Sequence, residues 1–412
     1  EEVIWAVAVN YSTNFSYDFT KSLDGGITWT AGLLPDTIGD YFPISIFALD
    51  SETAWVLMVN FPQQNKVRLF KTVDGGISWL EQTGEFNKTG FAFSSIHFFD
   101  DNEGVGFGSP GTGIASVDSI RIYRTSNGGE NWHRILSDFL PTPVAKEGVW
   151  LYGDNRYENK GDTLWFGTRS SRVFRTIDRG LSWQAFNTGI SGNSNTPGLA
   201  SIAFQNSQNG IVTTFLPNKA AITNDGGETW TKINIPSSPG AADIEYIPGT
   251  SASYIINEGW STDSNISKFL ITHDKGETWE TSTFSPALPV IRFLSPSVGY
   301  AGGTLQGPNK GGMYKWIGSF TSSTKEVTIL DNNVEVFPNP VKDDLKINLS
   351  REVTIKNELI LRIYDVLGKI KMQVFINSKS TNINIRDLSN GIYLYKLSDK
   401  ERVLSSGKIT KL

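Results

Sequence analysis

The 412-residue chain contains no cysteine, three histidines and three methionines. Without cysteine there are no disulfides, thiol nucleophiles or thiolate metal sites. His97 sits on a strand-like run, His133 just after a repeated turn and His273 inside one. That scatter argues against a zinc site, so no metal and no cofactor is expected. No run of 18 apolar residues occurs, so no transmembrane helix is expected. No leader-like segment opens the chain; Val3 to Val9 reads as a strand, which suits a processed N-terminus. Phosphate loops, dinucleotide fingerprints and triad signatures are missing as well.

Net charge is small, −5, but unevenly spread. Residues 336–412 carry 14 Lys and Arg against 8 Asp and Glu, and the remainder carries 23 against 34. An acidic main body argues against nucleic acid and leaves sugars, proteins or small molecules as partners.

What the chain has is repetition. Six times it writes Ser/Thr-x-Asp-x-Gly-x-Thr/Ser-Trp with minor variation, first as Ser22 to Trp29 and last as Thr272 to Trp279. The third position holds Asp24, Asp74, Asn127, Asp178, Asp225 and Asp274, spaced by 50, 53, 51, 47 and 49 residues. A period near 50 means stacked supersecondary units. Within the turn, glycine allows positive φ and the acid side chain accepts hydrogen bonds from turn amides. The tryptophan is expected to begin the outgoing strand and pack as a wedge. These six side chains therefore read as turn stabilisers rather than catalytic acids.

Each unit carries four short strand-like runs. In the second these are Ile44 to Leu49, Ala54 to Val59, Val67 to Thr72 and Ile77 to Gln82. Four strands per repeat is one propeller blade. The first unit lacks an inner strand, and a last run, Val290 to Trp316, lacks the repeated turn. Seven blades with an irregular closure is the reading, with six the alternative.

The turns resemble Asp-boxes, or bacterial neuraminidase repeats, found in sialidases, xyloglucanases, sortilin-type receptors and photosystem assembly factors. The resemblance covers about residues 1–319 and implies an all-β propeller, a scaffold shared by unrelated activities. It places ligands on the face opposite the boxes, where the loops vary most. Tyr11, Phe15, Tyr17, Arg169, Arg172, Trp260, Asp263 and Lys310 are the candidates there. A sialidase needs three arginines to clamp a carboxylate and an early Arg-Ile-Pro motif, yet no Arg precedes Arg68. Arg124 and Arg175 occupy the pre-box position that Lys21 and Lys71 fill elsewhere, so they belong to the repeat. Other glycosidases need two carboxylates about 5–9.5 Å apart. Asp118, Glu258 and Asp263 are the loop acids, and their spacing marks no pair.

Residues 320–335 read as a polar linker. Residues 336–412 then alternate apolar residues around turns, as in a small immunoglobulin-like β-sandwich. Its landmarks are Pro338-Asn339-Pro340, Tyr364-Asp365 with Gly368, Gly391 with Tyr393, and Lys408-Ile409-Thr410-Lys411-Leu412. Their order resembles the type A C-terminal sorting domain of the Bacteroidetes type IX secretion system. That resemblance implies passage through the periplasm and across the outer membrane by the type IX translocon and an outer-membrane shuttle barrel. The protein would be secreted or displayed on the cell surface. Two functions fit: non-catalytic binding of a glycan or protein, and, as the alternative, a sialidase-like or xyloglucanase-like glycoside hydrolase.

Overall fold

The computed structural model describes residues 3–10, 16–35, 41–60, 66–84, 86, 92–109, 120–144, 147–149, 157–190, 198–214, 219–236, 243–257, 267–284, 288, 290–303, 312–320, 334–349, 359–365, 369–398 and 403–412. The chain divides into two units, Glu1–Ser322 and Ser323–Leu412.

The first unit contains seven antiparallel sheets. Sheets two to six have four strands each. Sheet two, for example, is Tyr41–Ala48, Ala54–Asn60, Val67–Thr72 and Leu80–Gln82 in sequential order. Sheet one has three, Ile4–Asn10, Ser16–Ser22 and Thr30–Leu33, and its first strand lies beside Tyr41–Ala48. Sheet seven also has three, Val290–Ser295, Val298–Gly302 and Met313–Lys315. Among the described residues the propeller thus has seven blades, the first without an inner strand and the last without the outer strand that a repeated turn would start.

The repeated turn is a closed hydrogen-bond unit. The first hydroxyl accepts the amide of the glycine four residues on, at 2.7–3.0 Å in all six. The Asp carboxylate accepts the hydroxyl of the second Ser or Thr at 2.5–2.6 Å in the five turns that have one. Asn127 accepts only the Asn131 amide there. The fifth residue is always glycine, with φ of 79–93°. A Cβ at Gly76 would meet the Phe19 ring at 2.3 Å, and one at Gly276 would meet Ile233 at 2.7 Å. The fourth position has positive φ too, and two of the six turns place a non-glycine there, Arg179 at 55° and Lys275 at 61°.

The tryptophan does not begin the outgoing strand. That strand starts one residue later, at Thr30, Leu80, His133, Gln184, Thr231 and Glu280. The indole instead folds back, and Trp29, Trp183, Trp230 and Trp279 donate to the carbonyl of the fifth-position glycine at 2.9–3.2 Å. Only Trp132 and Trp183 of the six are fully buried. The tryptophan still wedges between blades, as Trp79 does on Trp5 and Phe19 of sheet one, and second strands add stacked pairs across the same kind of seam. Trp55 stacks on Phe98 at 3.7 Å and Trp165 on Phe204 at 3.9 Å, each reaching the next sheet. Such pairs add about 0.5–1.5 kcal/mol beyond area burial.

Five of the six turns are also held at a backbone carbonyl by side chains of the neighbouring blade. Trp55 donates to the Gly128 carbonyl and Trp165 to that of Gly226. The pre-box cations reach the same place: Lys21 donates to Gly75 O, Arg124 to Arg179 O and Arg175 to Gly226 O. Sheet seven repeats both contacts on the first turn, with the Tyr300 hydroxyl and the Lys315 ammonium donating to Gly25 O at 2.7 and 2.6 Å. The ring is closed by the same bonds that join its blades.

Phe320, at the expected start of the linker, is buried against Phe293 and Trp316, and its amide donates to Pro296 O. Its ring joins a cluster with Phe269 of sheet six and Ile291 and Phe293 of the seventh sheet's inner strand. At the other end, Val334 and Glu335 already belong to a strand, Val334–Phe337.

The second unit has two sheets around one core. One is Val334–Phe337, Asp344–Leu349 and Ser380–Asn384; the other orders Ile370–Ile376, Leu359–Tyr364, Gly391–Ser398 and Val403–Lys411. Leu345, Ile347, Leu361, Ile363, Ile376, Leu397 and Ile409 are fully enclosed between them. The two ends of the unit are knitted together. Asn339 donates to Lys408 O and accepts from the Thr410 amide, at 2.6 and 2.9 Å. The Val341 amide donates to Thr410 O, and its carbonyl accepts the Leu412 amide, across the same seam. Tyr393 is buried, with its hydroxyl on Ser389 O, and Lys411 pairs with Asp343. Gly368 lies outside the described residues.

Candidate functional site

Of the loop-face candidates, Tyr17, Arg169 and Arg172 fall within the described residues. Tyr11, Phe15, Trp260, Asp263 and Lys310 lie outside the described residues, as do Asp118 and Glu258. Tyr17 is turned into the core, packed with Phe19, Leu34 and Phe70. Arg172 is engaged by Glu147, which accepts from its Nε at 2.8 Å and its Nη2 at 2.6 Å. Arg172 also donates to Thr142 O, so it ties Thr142 and Glu147 to the fourth sheet. Arg169 is bound at its amide by Gly148 O, and partial burial holds its guanidinium below its ordinary pKa.

A different site lies on the propeller axis. Residues from all seven sheets line a cavity of about 780 Å³ there. Strand register explains which residues reach it. Read outward, one row runs Phe47, Trp55, Lys71 in sheet two and His97, Val105, Arg124 in sheet three. It continues Glu158, Trp165, Arg175 in sheet four and Ala203, Ile211, Ile222 in sheet five. It ends Glu245, Ile255, Ile271 in sheet six and Arg292, Tyr300, Lys315 in sheet seven. Sheet one supplies Trp5 and Lys21. The outer member directly precedes the repeated turn in sheets one to six, so the row sits at the turn-bearing end of the disc. Its inner members put Phe47, His97, Glu158, Glu245 and Arg292 on the cavity wall.

The wall is apolar on one side and charged on the other. Ile44, Ile46 and Phe47 face it from sheet two. Opposite, Arg292 donates to Glu245 at 3.2 Å and stands 4.0 Å from Asp243. Glu158 pairs with Lys160 at 3.1 Å. Both glutamates also accept an amide of the next inner strand, Phe204 for Glu158 and Phe293 for Glu245, each at 3.4 Å. Asp243 accepts from Ser201 and from the Ile291 amide.

Burial pushes the Glu245 carboxyl up to about 8; Arg292 opposes this, and Glu158 and Asp243 add to it. The same cause raises Asp243 to about 6, against the pull of Arg292. Burial drives His97 down to about 3, so its imidazole is neutral, and its Nε2 has no hydrogen-bond partner. At neutral pH Glu245 therefore holds a proton that an exposed glutamate would have lost. Among the described residues no group of three His, Asp or Glu is placed to hold a metal ion.

The sequence analysis missed Glu158, Glu245 and Arg292. One signal was available: the inner strands Tyr157–Lys160, Asp243–Tyr246 and Val290–Ser295 carry charge at positions where the inner strands Tyr41–Ala48 and Leu199–Phe204 carry none.

Residues 335–411 match the family described as "Secretion system C-terminal sorting domain". An endo-acting ulvan lyase of Formosa agariphila is 37% identical over 89 residues, which are 21% of this chain and 16% of that protein. The chain thus spans only a small part of that relative's length. A solved structure described as "YCF48 bound to D1 peptide" superposes with a TM-score of 0.50 at 20% identity, covering 76% of this chain and 87% of the other. PorZ, a surface component of the type IX secretion system of Porphyromonas gingivalis, gives 0.48 at 14% identity over 100% of this chain and 58% of its own. The protein is a β-propeller fused to a type IX C-terminal sorting domain, exported to the cell surface or beyond.

Proposed function

We propose that the exported propeller is a binding protein, holding a glycan or protein ligand at its axial cavity without catalysis. The observation that carries this is the cavity itself, a concave space built from all seven sheets with convergent polar groups on one wall. The described carboxylates there are each tied to a cation or an amide, which suits a rigid recognition surface. One propeller of the same fold has been solved with a peptide, so the architecture is compatible with such a ligand. The six repeated turns act as Asp-boxes with a structural role only. Residues 336–412 engage the type IX translocon and its shuttle barrel.

A specific observation favours a second reading. Glu245 keeps its proton to about pH 8, as a general acid must, and Glu158 is close enough to push it higher. A glycoside hydrolase would use such a pair.

The test is capture by the full chain on immobilised polysaccharides, ulvan among them, and on envelope proteins, with reducing-end release measured in parallel. Saturable capture without product supports binding. Product formation that Glu245→Gln abolishes would establish the hydrolase instead, and neither capture nor product would remove both readings.

A further inference from the structure

Where two antiparallel sheets bury one face each, the other face is expected to be polar. The two outer faces of the second unit differ on this point. On the three-stranded sheet, register turns Glu335, Asp344, Lys346, Asn348 and Asn382 outward, polar and of both charge signs. On the four-stranded sheet, Ile370, Phe375, Ile392 and Leu394 point outward, each 47–50% exposed. Ile370 and Leu394 flank Tyr364, and Phe375 lies beside Ile360, so apolar side chains form two rows across the strands. Between them runs a polar row of Gln373, Arg362 and Lys396. Lys408 stands next to Leu394 on the last strand.

The four strands of this sheet hold no Asp or Glu at any position. Arg362 donates to neutral groups, Gln373 Oε1 and Ser398 Oγ. Asp365, just past the strand end, is paired with Lys371 at 3.5 Å. No ion pair among the described residues engages Arg362, Lys396 or Lys408, so their charge is unmatched within the unit.

We propose that this face docks on an anionic lipid surface. Ile370, Phe375, Ile392 and Leu394 enter the acyl boundary, and Arg362, Lys396 and Lys408 reach the headgroup phosphates. Charge decides the occupant. A face with cations and no acid selects a surface of one sign, and an anionic leaflet is such a surface. The long stems of Lys and Arg lie along apolar surface while their heads reach the phosphate layer, which lets shorter apolar neighbours go deeper. Protein interfaces are by contrast depleted in Lys. Each cation beside an anionic leaflet adds about fivefold in affinity. The proposal concerns the second unit alone and stands whether or not the axial cavity holds a ligand.

The experiment is flotation of the full chain with vesicles of phosphatidylglycerol and phosphatidylcholine in equal parts, against vesicles of phosphatidylcholine alone. Binding is expected to be about tenfold or more stronger on the anionic vesicles, and to fall away as salt is raised toward about 1 M. Lys396→Gln combined with Lys408→Gln should weaken it by about tenfold or more, while Lys346→Gln on the other outer face should leave it unchanged. The absence of cysteine permits a second readout that does not depend on the lysine variants. Leu394→Cys and Asn382→Cys, each labelled with a polarity-sensitive dye, place one probe on each outer face. The dye at position 394 should shift to the blue on anionic vesicles, and the dye at position 382 should not. Absence of binding to anionic vesicles, equal binding to neutral ones, equal loss in Lys346→Gln, or a blue shift at both positions would each overturn the proposal. A response of the dye at 394 to polyglutamate, with none to vesicles, would overturn it too and assign the face to an acidic protein instead.

Discussion

The Tyr300 hydroxyl donates to the Gly25 carbonyl at 2.7 Å, joining residues 275 positions apart. Tyr300 occupies the row position of Trp55 and Trp165, and Gly25 the turn position of Gly128 and Gly226. The seventh sheet has no repeated turn of its own, yet it serves the first sheet's turn as every earlier donor serves its successor.

That closure is measurable. Tyr300→Phe leaves Lys315 on the Gly25 carbonyl and is expected to cost about 0.5–1.5 kcal/mol in urea unfolding. Combining it with Lys315→Ala strips the carbonyl of both side-chain donors, so the double variant should lose more than the two singles summed. Additive losses would show that the two donors act independently and that this seam is not a unit.

The Asp-boxes predict an acid limb. The Thr28 hydroxyl and amide hold Asp24 at about 2, and those of Ser78 do the same for Asp74. In Asp225 burial pulls upward most, but the Thr229 hydroxyl and amide together outweigh it and leave it at about 2. A lowered folded pKa adds stability above the unfolded value, and that stability is lost as pH falls through the folded value. The full chain should therefore hold its stability down to about pH 4 and lose it steeply toward about pH 2. Asp225→Ala should cost about 1 kcal/mol, since the partner amide of Thr229 is exposed and solvent repairs part of the loss. Asp225→Asn should cost less, because Asn127 already serves in the third turn. Equal melting curves for Asp225→Ala and wild type would remove the structural role.

Glu245 predicts the opposite slope on the other side. Its folded pKa is raised, so between the unfolded value and about 8 the folded chain binds a proton that the unfolded chain does not. Stability then falls as pH rises across that window. Thermal midpoints of wild type should decline from about pH 5 to about pH 8, and Glu245→Gln should flatten the decline. Parallel curves would place the Glu245 carboxyl in a less buried setting than described.

The blades were legible because each carries a marked turn at a period of 47–53 residues. The cavity was not. Its walls come from inner strands distant in sequence from the marked turn, Glu158 by 18 residues from Thr176 and Glu245 by 27 from Thr272, and only cross-strand register aligns Glu158, Glu245 and Arg292 in one row. Tyr17 and Arg172 failed as loop-face candidates for a related reason. Both stand at the first turn of a strand, where one residue of register decides between core and surface, and an acid distant in sequence, Glu147, claims the arginine. Phe320 reads as the head of a polar segment because its partners, Phe269, Ile291 and Phe293, are brought to it only by the packing of sheets six and seven.

The second unit predicts why its two terminal motifs occur together. Asn339 both donates to Lys408 O and accepts from Thr410 N. Asn339→Ala breaks both bonds and should lower the stability of residues 336–412 by about 1–3 kcal/mol, with propeller unfolding unchanged. Limited proteolysis resolved by mass should show cuts in the second unit first. Simultaneous loss of both units would tie Asn339 to the whole chain instead.

The central claim is that this propeller is cargo whose second unit is its export signal. The direct measurement is fractionation of a type IX-competent host expressing the full chain or a chain ending before Lys408. The truncation removes Ile409 from the core and the Thr410 bonds to Val341 and Asn339. The account predicts full-length protein at the cell surface or in the medium, and truncated protein retained in the periplasm with its propeller folded. Truncated protein found outside as efficiently as the full chain would contradict it.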